Sequence, residues 1–133
     1  MQITSVLSLI IAGIIPSIVG FIWYQPRFFG AHWMQLSGIQ PQHVEGSYGG
    51  SALAFLGLLS GMVTAFVIRQ EILSDSTIVS SFEHVSLLWL GLIAMIGLGI
   101  VLWERKPVSL YLTSSIYWLV SLLLMTTVLF YLH

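Results

Sequence analysis

The chain has 133 residues, 57% of them hydrophobic and 7% charged, with four basic and five acidic side chains and a net charge of −1. A soluble domain is roughly 45–50% apolar and about 25% charged, and a chain this short cannot shelter so much apolar surface in one core. Lipid is its natural solvent. No basic patch exists for nucleic acid, and the absence of cysteine excludes disulfides, thiolate metal sites and cysteine nucleophiles.

The first apolar run covers residues 3–24. No Lys or Arg precedes it and it is too long for a signal peptide, so it reads as a retained transmembrane helix. Ala12, Pro16 and Gly20 recur every four residues, with Gly13 and Ser17 alongside, which makes a face of small residues for helix packing. Pro16 falls near mid-membrane and is expected to kink the helix, leaving a carbonyl that needs a partner at Ser17 or on a neighbouring helix.

Trp23 and Tyr24 fit an interfacial aromatic belt, Pro26 discourages further helix, and Arg27 can reach headgroup phosphates. Beyond them Phe28, Phe29, Trp33 and Leu36 fall on one side of a short interfacial helix over residues 26–38, ending at Gly38. A lid or docking surface for a partner is the alternative use of this segment. His32, His43 and Glu45 share this loop. No pair among the four histidines (His84 and His133 are the others) stands at a helical metal-ligand spacing, so no metal site is assigned.

The second helix is expected over residues 49–68, with Gly57, Gly61 and Ala65 at four-residue steps forming another small-residue face. Ser80 followed by Glu83 fits a capping box ahead of a third helix over 85–103, which carries Gly91, Ala94, Gly97 and Gly99. The loop of residues 104–107 is so short that helices three and four must form a tight hairpin, and Pro107 suits the first turn of a fourth helix over 108–132. On that helix Ser114, Tyr117 and Ser121 share one face. Interhelical hydrogen bonding is the plain reading of the stripe, and a polar lining of a path or ligand site is the sharper one.

None of the four interiors contains Asp, Glu, Lys, Arg or His, which argues against proton or ion coupling inside the bilayer. No Gly-x-Ser-x-Gly elbow or phosphate-cradling glycine loop is present. Arg27 in loop one, with Arg105 and Lys106 in loop three, outnumber Arg69 on the opposite side. Loops one and three are therefore expected in the cytoplasm and both termini outside.

Two motifs carry a family resemblance. One is Tyr24-Gln25-Pro26-Arg27-Phe28-Phe29-Gly30 followed by Trp33 and Gly38. The other is Arg105-Lys106-Pro107 ahead of a last helix bearing Tyr117 and Trp118. Together they resemble the small bacterial four-helix membrane proteins grouped as domain of unknown function 1761. The resemblance implies architecture and a bacterial cytoplasmic membrane, and it brings no reaction, so no catalytic residue follows from it.

The expected molecule is an all-α integral membrane protein, a single domain over 1–133, with four transmembrane helices in two hairpins and a short interfacial helix after the first. Its partners are the lipid bilayer and either its own copies or another membrane protein, with no nucleic acid and no cofactor. A non-enzymatic protein acting by association is the first expectation. A small channel or facilitator with a hydroxyl-lined path is the alternative, and a lipid-modifying enzyme using Arg27 and His32 at headgroup level is the third.

Overall fold

The computed structural model describes residues 3–23 and 50–132. The segment over 26–38, with Tyr24, Pro26, Arg27, Phe29, Gly30 and Trp33, lies outside the described residues, as do His32, His43 and Glu45.

Helix α1 spans Ile3–Trp23 with Pro16 inside it, and α2 spans Gly50–Ile72. The third span is built of three pieces: α3 (Ile78–Leu88), a π-helical turn (Trp89–Ala94) and α4 (Met95–Glu104). Helix α5 spans Val108–Leu132. No strand occurs among the described residues. Four helical spans, over Ser5–Trp23, Ala52–Ile72, Ile78–Glu104 and Val108–Leu132, are long and apolar enough to cross a membrane. The chain is a multi-pass membrane protein.

The sequence placed two helix ends wrongly. Helix α2 runs four residues beyond 68, carrying Arg69 and Glu71, and Arg69 Nη2 donates to Ser5 Oγ of the adjacent α1 at 2.9 Å. The third span begins at Ile78, seven residues early, because Thr77 rather than Ser80 is its N-cap. Thr77 Oγ1 accepts from Ser80 N (3.1 Å), while Ser80 Oγ donates to Thr77 O (2.9 Å). At 27 residues this span is about 40 Å long, longer than a hydrocarbon core of about 30 Å.

The hairpin loop before α5 closes as a left-handed cap. Arg105 has φ 54°, and the amides of Arg105 and Lys106 both bond to Val101 O. Pro107 stands just ahead of Val108, and its carbonyl accepts from Leu110 N and Tyr111 N.

Helix α1 packs along both α2 and α5, and α5 also meets α3, α2 and the π-helical turn, so α5 is the hub of the bundle. The apolar core combines Ala12 of α1, Ala65, Ile68 and Ile72 of α2, Val85 of α3, and Leu122, Met125 and Leu129 of α5. The α5 members recur at three- and four-residue steps, one stripe of that helix. This core occupies the half of the bundle near the C-terminus of α5. In the other half, α4 has Val101 as its one buried residue, and Trp103 is 90% exposed.

Candidate functional site

Where α1 crosses α2, the backbones are in contact. A Cβ on Gly61 would run into the carbonyl oxygen of Gly13, and one on Gly13 would come within 2.7 Å of the Met62 side chain and 3.0 Å of its backbone. Ala12 and Ala65 are fully buried beside this crossing, and Pro16 is buried too. Gly57 looks toward Ser17 Oγ at 3.6 Å, while Ser17 itself is exposed. These small residues meet one another within a single chain.

The other half of the bundle is held by aromatic side chains that exchange hydrogen bonds with helix backbones. Tyr117 of α5 donates to Pro16 O (2.6 Å), and Gly20 leaves room for its ring, since a Cβ there would lie 3.1 Å from the hydroxyl. Tyr111 of α5 donates to Ala94 O (2.7 Å) at the end of the π-helical turn, and Gly97 makes room for it in the same way. In return Trp23 Nε1 donates to Thr113 O (3.2 Å) and Trp89 Nε1 to Ser115 O (2.8 Å). Trp23, expected in an interfacial belt, is the last residue of α1 and is half-buried against α5. A buried indole needs an acceptor for its N–H, and for Trp23 and Trp89 the carbonyls of α5 supply it.

Trp89 and Ala94, the two ends of the π-helical turn, are thus pinned to Ser115 and Tyr111, one turn of α5. Beside that clasp, between α4 and α5, lies a cleft of about 290 Å³, lined by Lys106, Leu110, Tyr111, Ser114, Ser115 and Trp118 on one wall and by Ile93, Gly97, Ile100 and Val101 on the other. The hydroxyl stripe expected on the last helix is therefore divided. Ser114 lines the cleft, Tyr117 faces α1, and Ser121 is fully buried with no hydrogen-bond partner for its Oγ. Other hydroxyls bond within their own helix, as Thr113, Thr126 and Thr127 do to the carbonyls four residues back. Tyr111, Ser115 and Trp89 were missed by the sequence reading. Tyr111 lies three residues before Ser114, so extending the stripe by one step would have found it.

At the opposite end lies a polar corner. His84 of α3 faces Glu71 of α2 through Nε2 (3.4 Å) and Asp75 through Nδ1 (3.6 Å). A different carboxylate thus stands opposite each ring nitrogen. The pairing ties α3 to the end of α2 but cannot place two carboxylates and one nitrogen on a single ion. Among the described residues no group of three His, Asp or Glu side chains could hold a metal. Arg69 Nε and Asp75 Oδ2 are buried there without hydrogen-bond partners. At the cleft end, Lys106 pairs with Glu104 (2.9 Å), both side chains half exposed.

The family model for a protein of unknown function, DUF1761, matches residues 7–130, and the chain belongs to that family. Nothing among curated proteins or solved structures matches it.

Proposed function

We propose that this membrane protein works without catalysis, by associating within the bilayer with a second copy of itself or with another membrane protein. The observation that carries the reading is the outer face of the third span. Gly13, Gly20, Gly57, Gly61 and Gly97 each have a neighbour that a Cβ would meet, whereas Gly91 and Gly99 look onto open space. Around them Leu92, Met95, Ile96 and Trp103 are exposed. Between helices in lipid, small residues let a partner backbone approach, and this face is free to receive one.

The orientation that fits is a bacterial cytoplasmic membrane with both termini outside. Arg105 and Lys106 stand at one end of the bundle, and at the other Arg69 is drawn onto Ser5 beside Glu71 and Asp75. A hydroxyl-lined path is supported less well, because Tyr117 and Ser121 do not continue the lining that Ser114 begins.

The chain has no cysteine, so Gly99→Cys introduces a sole thiol. Oxidation in native membranes should cross-link that variant, and native mass spectrometry should return a small multiple of 14.8 kDa or a mass with an added protein. A bare 14.8 kDa species, with Gly99→Cys cross-linking no better than Phe55→Cys on the exposed side of α2, would overturn the reading.

A further inference from the structure

The α4–α5 cleft is graded from end to end. At its mouth stands the Lys106 ammonium, with Arg105 exposed beside it in the same loop. Next come the hydroxyl-bearing side chains Tyr111, Ser114 and Ser115, and Trp118 and Ile93 line the far end. From Leu110 to Trp118 the wall is about 12 Å long at helical rise, and the facing wall from Val101 back to Ile93 spans a similar depth. Cation, hydroxyl belt and apolar floor thus follow one another in the order in which a glycerophospholipid presents phosphate, ester and acyl chain. At about 290 Å³ the cleft sits at the lower end of ligand pockets, roughly 300–1,000 Å³, and suits one slender chain.

We infer that this cleft holds a single anionic glycerophospholipid, its phosphate at Lys106 and Arg105 and one acyl chain along Ile93, Ile100 and Trp118. Charge selects the class. The loop contributes two cations against one carboxylate, Glu104, whose half-exposed, solvent-screened pairing with Lys106 is weak and yields to a phosphate. A zwitterionic lipid gains no net attraction from this excess, and a cationic amphiphile is repelled. The site lies on the inner side of α4, whereas Gly99 on its outer side does not line it, so lipid retention and association are separable.

The test is native mass spectrometry of the full chain released from bilayers holding equal amounts of phosphatidylglycerol and phosphatidylcholine. One phosphatidylglycerol should remain on the protein, on monomers and oligomers alike. Lys106→Gln should lower its retention about fivefold, since a lysine at an anionic surface is worth about 1 kcal/mol. Glu104→Gln should raise retention by removing the competing carboxylate, a change that misfolding would not mimic. Ile100→Trp, which fills the apolar wall with both charges intact, should abolish it. Glu83→Gln, at the far end, should leave it unchanged. Equal retention of phosphatidylcholine, or a Lys106→Gln protein that keeps its lipid as wild type does, would overturn the assignment.

Discussion

Near the C-terminus of α5, the bundle is closed by fit. Ala12, Ala65, Met125 and Leu129 are wholly buried, and Gly13 and Gly61 bring two backbones together. At the other end of the same helix, Tyr111, Tyr117, Trp23 and Trp89 hold neighbours at a distance by hydrogen bonds to main-chain carbonyls, and a cleft remains open. In lipid no hydrophobic force draws helices together, so the first half rests on dispersion over matched surfaces and the second on a few directed bonds. Directed bonds can fix a helix while leaving space beside it.

The comparison breaks most visibly at Gly61. Gly61→Leu must separate α1 from α2, because its Cβ alone would collide with the Gly13 carbonyl. Overpacking typically costs about 1–3 kcal/mol, and with rigid backbone as the obstacle a loss of about 3 kcal/mol or more is expected. Reversible unfolding in mixed micelles would measure it. A variant as stable as wild type would show that the crossing is not tight. Because these glycines meet within one chain, the loss should appear in the monomer.

The clasped half should respond more gently. Tyr117→Phe keeps the ring against Gly20 and removes one hydrogen bond to Pro16 O, an interaction of the kind that averages about 0.6 kcal/mol in membranes and reaches about 1.7. With a 2.6 Å contact at a buried proline, Tyr117→Phe belongs toward the upper figure, and Trp23→Phe, which gives up a 3.2 Å bond, toward the lower. The same unfolding assay ranks them, and the reverse order would mean that bond length is not what sets the strength of the clasp.

A change of opposite sign is expected at the hairpin. Arg105 holds φ 54°, a left-handed position that costs an ordinary residue about 1 kcal/mol or more and glycine little. Arg105→Gly should therefore stabilise the chain by up to about 1 kcal/mol while reducing lipid retention at the cleft. Stability and retention moving together would contradict the separate roles given to backbone and side chain.

These differences also explain what could be read from the sequence. Uninterrupted apolar runs mark the spans, because membrane crossing depends on local composition and length. Their ends depend on particular partners. The chain near 77–80 offers both Thr77 and Ser80 as caps, and nothing local says which one wins. Nor does hydropathy say that α2 will continue past Arg69, whose guanidinium finds Ser5 on the adjacent α1. Four-residue spacing exposed Gly57, Gly61 and Ala65, yet spacing is the same whether the partner helix lies in the same chain or in another. The π-helical turn Trp89–Ala94 contains Gly91, but Gly97 and Gly99 sit in the regular helix that follows, so glycine alone does not announce it. Its place is fixed by Tyr111 and Ser115 on a different helix, and so the cleft beside it was illegible.

The smallest effect expected separates a path from packing. Ser121 sits in the closed half, fully buried, with its Oγ lacking a hydrogen-bond partner. A buried hydroxyl without a partner keeps its desolvation cost and returns nothing, so Ser121→Ala should be neutral or stabilising by about 0.5 kcal/mol. If the stripe of Ser114, Tyr117 and Ser121 lined a route for solutes, the same change would alter flux through liposomes holding the protein. Unchanged flux with unchanged or improved stability places Ser121 with Met125 and Leu129, among side chains that fill space. Changed flux would mean that the closed half opens, and that its close fit describes one state of two.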